Sequence, residues 1–291
     1  LNNDGLIDFR PLLIQGRMAT PFDAVMQIFF VVGAQKSGTS WLQKSLNSVE
    51  GIHCLGEGHF VDKLLLPMAQ PRHEYNKMME VVHHRIYDGE GFYGGIPDHE
   101  LFGLTRSWIL SIMLRNAKAP QDKILALGDK TPGHSFHLPT LKQLFPSARI
   151  LHILRDGRDV AVSAFHHRQR IQQENGQSGG DLQKEAHQFL AKWAGFTRAI
   201  RKAESNGIPV HTVRYEAMLE DGITSLRGCI DHLLPENTID DDQLQTAVKT
   251  NRFKALSGGR EPGTIDASSI LRRGQANCWK DELTAEAQEQ F

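Results

Sequence analysis

The stretch Ile28 to Leu46, IFFVVGAQKSGTSWLQKSL, constrains the fold more than any other part of the chain. Ile28 to Val32 are all apolar, β-branched or aromatic and predict a short buried strand, while SWLQKSLNS predicts a helix. Between them, Gly33 and Gly38 have the spacing of the phosphate-cradling loop G-x-x-x-x-G-K-[ST]. A strand that passes into a helix through such a loop opens a parallel sheet whose ligand lies at the strand's carboxyl end. The loop's charge is displaced, however. Thr39 stands where a triphosphate-binding loop carries lysine, and Lys36 lies two residues before Gly38.

The rest of the chain repeats the strand and helix alternation. KILALG (Lys123 to Gly128), ARILHILR (Ala148 to Arg155) and PVHTVRY (Pro209 to Tyr215) predict further buried parallel strands. DLQKEAHQFLAKWAGFTRAIRKAESNG predicts a long helix, with Leu182, Ala186, Phe189, Trp193 and Ile200 at helical spacing and Gly207 as its stop. The fold class is therefore α/β, a central parallel sheet flanked by helices, of the P-loop nucleotide-binding type. A single domain over 1–291 is expected, with an N-terminal extension over 1–27. The segment from about Asp62 to Lys118 patterns less regularly and contains the turn-rich YDGEGFYGGIPDHE, which reads as a lid or acceptor-binding insertion. GQSGG near Gly176 reads as a loop.

Composition narrows the partners. With 33 lysines and arginines against 34 acids, the net charge of −1 gives no global field for nucleic acid or an anionic membrane, so any anion site must be local. Cys54, Cys229 and Cys278 are widely spaced with no C-x-x-C, which favours a reducing compartment and makes the cytoplasm the default. No apolar run reaches the 18 or so residues of a membrane span, and LNNDGLIDFR lacks the pattern of a signal peptide. A first residue of Leu rather than Met is equally consistent with a domain excised from a longer or secretory-pathway protein. Histidine pairs occur at His83-His84 and His166-His167, yet without H-E-x-x-H or mixed Cys/His spacing, so no metal site is expected.

Two more basic motifs follow the glycine loop. In LRDGRDVAVSAFHH a predicted strand ends at Arg155 and Ser163 follows eight residues later on a predicted helix, so guanidinium and hydroxyl can converge on one anion. The competing structural reading pairs Arg155 with Asp156 or Asp159. In LRRGQANCWK, Arg272 and Arg273 precede Gly274, where guanidinium and backbone N–H can approach a phosphate together.

In this order the three motifs resemble those of the sulfotransferases that use 3′-phosphoadenosine 5′-phosphosulfate (PAPS). That family reads K-S-G-T-x-W, then Arg with Ser eight positions on, then R-K-G-x-x-G-x-W-K; here these are KSGTSW, RDGRDVAVS and RRGQANCWK. The resemblance implies that Gln35, Lys36, Ser37, Gly38, Thr39 and Ser40 hold the phosphosulfate, with Lys36 catalytic at its bridging oxygen. It places Trp41 and Phe253 at the adenine, Tyr215 beside the site, and Arg155, Ser163, Arg272, Arg273 and Gly274 at the 3′-phosphate. The product would be adenosine 3′,5′-bisphosphate, and no metal is implied. The second glycine of the last motif is Asn277, and Arg273 replaces its lysine.

The base is less directly marked. Cytosolic family members carry K-T-H-L-P, but here DKTPGHSFHLP has Pro132 in place of that histidine. LGEGHFVD offers Glu57, at a position similar to the catalytic glutamate of the Golgi heparan and tyrosylprotein sulfotransferases; His59 and His134 are the alternatives. Lys130 resembles the second lysine that those Golgi enzymes place near sulfate or acceptor, with an ion pair to Asp129 as its structural alternative. The implied acceptor is a hydroxyl, or an amine, of a small molecule, lipid or carbohydrate. Two other readings remain: a P-loop kinase for a nucleotide or small molecule, against which the missing G-K-[ST] argues, and an inactive nucleotide-binding scaffold.

Overall fold

The computed structural model describes residues 26–86, 93–177, 179–236 and 239–289. Most of the 1–27 extension and the turn-rich YDGEGF therefore lie outside the described residues. Five parallel strands form one sheet in the order β2-β3-β1-β4-β5: β1 (Gln27–Val32), β2 (Ile52–Gly56), β3 (Ala126–Lys130), β4 (Arg149–Leu154) and β5 (Val210–Arg214). β1 is central, and the chain moves from it to one side for β2 and β3 and to the other for β4 and β5. Such a reversal point opens a crevice at the strands' carboxyl ends, where the glycine loop sits.

β1 is continuously apolar from Ile28 to Val32 because both sheet faces are covered there. Alternation along β1 sends Ile28, Phe30 and Val32 into one core with Ile109 and Met113 of α3 (Asp98–Asn116), Leu141 of α4 (Leu138–Leu144), and Ile200 of α6 (Leu182–Ser205). Phe29 and Val31 point into the other core, against Leu42 of α1 (Thr39–Leu46), Ile230 of α8 (Gly222–Leu233) and Leu244 of α9 (Asp241–Thr250). Phe29 and Phe30 are both 0% exposed, and burial of such a ring stabilises by about 1.5–3 kcal/mol.

One expectation needs correction. The third strand is Ala126–Lys130 rather than Lys123–Gly128, because residues 121–123 form a single helical turn and the strand runs on to carry Asp129 and Lys130 to its carboxyl end. The region 62–118 is mostly helical, comprising a π-helical turn at Phe60–Leu65, α2 (Leu66–Ile86) and α3. α2 escaped sequence reading because none of its described side chains is buried and Pro71 lies within it, so no apolar stripe marks it. Strand β2 also went unread, being short and bounded by Gly51 and Gly56.

Past β4 come α5 (Gly157–Glu174) and α6, and past β5 come α7 (Tyr215–Glu220), α8, α9 and the short α10 (Phe253–Leu256). The chain then returns through residues 257–278 to α11 (Trp279–Glu282) and α12 (Ala285–Glu289). Trp279, Leu283 and Ala287 pack with Val162 of α5 and Ala186 of α6, which fastens the C-terminal motif to the sheet's carboxyl edge.

Candidate active site

The glycine loop folds as a cradle. Ser37 N–H closes onto Ala34 O at 3.1 Å, and α1 begins at Thr39 with Gly38 as its cap. Gly38 has φ 100°, and a Cβ there would lie 2.7 Å from the Tyr215 ring, so both conformation and space require glycine. Lys36 has φ 71°, a left-handed conformation that its side chain tolerates poorly, so the loop stores backbone strain where its charge is presented. Burial, then the neighbouring Arg170 and Arg155 charges, lower the Lys36 ammonium to about 8.

One cavity joins the motifs: Lys36, Gly38, Thr39, Ser40 and Trp41 line it with Arg155, Ser163, Tyr215, Phe253 and Arg272 to Gln275. Gln35 is exposed and Ser37 is buried. The Trp41 ring meets Tyr215 edge-on at 5.3 Å, and its indole N–H donates to Asn251 O at 2.8 Å. Arg155 lies over the Tyr215 ring at 4.3 Å and donates to Lys36 O at 3.3 Å and to Gln275 O at 3.1 Å. Arg155 Nε, on the cavity wall, is buried with no hydrogen-bond partner, which suits an anionic ligand; Ser37 Oγ is likewise unpartnered, but Ser37 does not line the cavity.

The C-terminal strap needs its unusual residues. Gly274 has φ 61°, and a Cβ there would come within 2.0 Å of Phe253 Cδ2, so this glycine lets the strap lie against the ring. Asn277, where the family motif has its second glycine, takes φ 61°, a left-handed position that asparagine accepts more readily than most residues. Both arginines already have carboxylate partners: Arg272 donates to Glu282 Oε2 at 3.1 Å, and Arg273 to Asp281 Oδ2 at 2.6 Å. His166 lies 2.6 Å from Glu282 Oε2, and these neighbours pull the Glu282 carboxyl down to about 2 although burial works the other way.

Glu57, His59, Lys130 and Asp129 form a corner at the ends of β2 and β3. Lys130, almost fully buried, makes an ion pair with Glu57 Oε1 rather than with Asp129. Glu57 Oε2 faces His59 Nε2 at 3.4 Å, and His59 Nδ1 faces Asp62 Oδ2 at 3.2 Å. Glu57 and His59 have φ 59° and 48°, so this turn is strained as well. Asp129 holds it, accepting from Gly58 N–H at 3.0 Å and the Thr131 hydroxyl at 2.6 Å; burial raises its carboxyl to about 6. His134 is 0% exposed, set between Phe30 and Phe60, and burial lowers its imidazole to about 4. Its Nδ1 lies 3.5 Å from Asp129 Oδ2.

A family model described as "Sulfotransferase family" matches residues 28–236, more than half of the chain. The chain belongs to the sulfotransferase family. Among curated sulfotransferases, protein-tyrosine sulfotransferase A of Caenorhabditis elegans is 23% identical over 190 residues, covering 64% of this chain and 44% of that protein, so the chain spans under half of that relative. The fold is similar to that of mouse sulfotransferase SULT7A1, solved in complex with PAP, with a TM-score of 0.54 at 16% identity over 93% of this chain and 84% of the other. Among the described residues, no group of His, Cys, Asp and Glu is arranged to hold a metal ion, and no helix is long and apolar enough to cross a membrane.

Several members of the site were not legible as such. Asn251 contributes only a carbonyl, Gln275 likewise, and Arg170 reaches Lys36 from two turns beyond Ser163. A backbone acceptor leaves no signature in residue type. Asp159 was readable only as a competing partner for Arg155, from which it lies 3.6 Å away.

Proposed function

We propose that this sulfotransferase-family chain moves the sulfuryl group of PAPS to a hydroxyl acceptor by in-line displacement. The observation that carries the reading is the convergence of Lys36, Arg155, Ser163 and the Arg272–Gln275 strap on one cavity walled by Trp41, Tyr215 and Phe253. Flat rings suit an adenine, and the cations suit its phosphates. The unpartnered Arg155 Nε on the cavity wall fits the same ligand.

In this reading the acceptor oxygen bonds to sulfur as the bond from sulfur to the bridging oxygen breaks. Lys36 meets the charge that develops on that bridging oxygen, an interaction stronger in the transition state than before it. Glu57 takes the acceptor proton. Its Oε1 is fixed by Lys130, its Oε2 stands beside His59, and Asp62 orients that imidazole. The acceptor would enter between this corner and the helices α2 and α3, the segment first read as a lid. A protein tyrosine, named for the nematode relative, is one hydroxyl of the proposed class. The three cysteines are free and buried, which suits a reducing compartment such as the cytoplasm.

Incubation with radiolabelled PAPS and a panel of phenols, alcohols, sugars and tyrosine peptides tests the reading. Transfer of label without added divalent metal is expected for at least one hydroxyl. Mg²⁺-dependent transfer of phosphate from ATP would replace the reading with that of a kinase.

A further inference from the structure

We infer that Asp159 is a positioning residue that holds the C-terminal strap and the donor-binding Arg155 in register, resting on the reading that the cavity binds a 3′-phosphorylated adenine nucleotide. Asp159 lies in the first turn of α5 and is 1% exposed. Burial of a carboxylate is costly unless its oxygens are satisfied. Here they are satisfied by the strap's backbone: Oδ2 accepts from Asn277 N–H at 2.8 Å and Oδ1 from Trp279 N–H at 3.1 Å. Oδ2 also lies 3.6 Å from Arg155 Nη2, the atom that donates to Gln275 O at 3.1 Å. One carboxylate thus touches both walls of the cavity.

The neighbourhood fixes the strap at this place and not elsewhere along its length. Arg158, one residue before Asp159, is itself held by Asp156 and lies over the Trp279 ring at 3.7 Å. Asn277 adopts the left-handed turn that aims its N–H at the carboxylate. The electrostatics work against a direct binding role, because an anion beside Arg155 repels a phosphate and partly neutralises the guanidinium. Asp159 therefore acts through the geometry it imposes, and its sign can be tested.

Charge alone predicts that Asp159→Asn tightens the binding of adenosine 3′,5′-bisphosphate. Positioning predicts the opposite, since the amide cannot accept both strap N–H groups and leaves Arg155 without its brace. Calorimetric titration of the bisphosphate should show roughly a 10–100-fold loss in Asp159→Asn, the scale of charge-assisted hydrogen bonds. AMP, which lacks the 3′-phosphate, should bind both proteins within about twofold. Hydrogen exchange on the ligand-free wild-type protein gives a readout independent of any variant's folding: the Asn277 and Trp279 amides should be protected. Unprotected amides, or bisphosphate binding by Asp159→Asn that is equal to or tighter than wild type, would overturn the inference. A wild-type protein that fails to bind the bisphosphate while its two amides are protected would instead overturn the donor reading.

Discussion

The donor cradle and the Glu57 corner sit at the same edge of one sheet but are built differently. The cradle joins three short motifs, each with its own spacing signature: a loop between β1 and α1, a strand end with its following helix, and a strap, brought together by hydrogen bonds that span 119 to 210 positions. The corner is assembled across the chain, with Glu57 set by Lys130 from 73 positions away and its turn held by Asp129 from the next strand. Both carry left-handed non-glycine residues, Lys36 in the first and Glu57 and His59 in the second. In the proposed reading, binding the donor and activating the acceptor fall to two sets of residues, and among the described residues no hydrogen bond joins the two sets, so the tasks should be separable.

If the tasks are separable, a change in the corner should spare the cradle. Glu57→Gln keeps the shape of the side chain and removes its basic oxygen pair, so transfer should fall by roughly 10²–10⁴ while bisphosphate affinity stays within about twofold of wild type. Near-normal turnover in Glu57→Gln, together with collapse in His59→Ala, would move the base to the histidine. Stopped-flow or label-transfer rates under saturating donor read the effect directly.

A change at the cradle's charge should act on both donor and rate. Lys36→Ala should cost about 10²–10³ in transfer, the scale of removing one group that stabilises developing charge. Its fold should persist, because alanine carries the same Cβ as lysine at φ 71° and so adds no new backbone strain. The pH profile adds a sign. Lys36 in the free protein is lowered to about 8, so it is charged below that value and loses its proton above it, and kcat/KM for the donor should decline as pH rises through about 8. A profile flat from pH 7 to 9.5 would contradict the assigned role.

The third effect is smaller and confined to one group of the ligand. Arg155→Ala should weaken bisphosphate binding by about 1.5–3 kcal/mol and hardly change that of adenosine 5′-phosphosulfate, which has no 3′-phosphate. Equal losses for both would assign Arg155 to the fold, where its contacts with Lys36 O and Gln275 O would then be its purpose. The smallest effect concerns Asn277→Gly. The residue already occupies a glycine-like conformation at φ 61°, so the melting temperature should reflect a change within about 0.5 kcal/mol.

This contrast also explains what could be read from residues alone. The glycine loop, the Arg155 to Ser163 helix and the strap were legible because each is a short run whose chemistry depends on spacing. Strands β1 and β4 were legible because burial on both faces makes their middles apolar, and β5 because its β-branched Val210, Thr212 and Val213 favour extended backbone although most of the strand is only partly buried or exposed. β3 was displaced in the reading because its functional end, Asp129 and Lys130, is charged and yet buried. That end is charged for the corner it builds, and a local pattern cannot register a partner more than seventy residues away. α2 was hidden by its lack of a buried face, and Asp159 by the ambiguity of an acid four residues from an arginine on one helix.

The most direct test of the account is a calorimetric comparison of two nucleotides on the wild-type protein. Adenosine 3′,5′-bisphosphate, without divalent metal, should bind more tightly than ATP with Mg²⁺, because Arg155 and Ser163 are proposed to hold a 3′-phosphate and the loop lacks the lysine and hydroxyl placement of a triphosphate cradle. Tighter binding of Mg²⁺-ATP, with the bisphosphate no better than AMP, would contradict it.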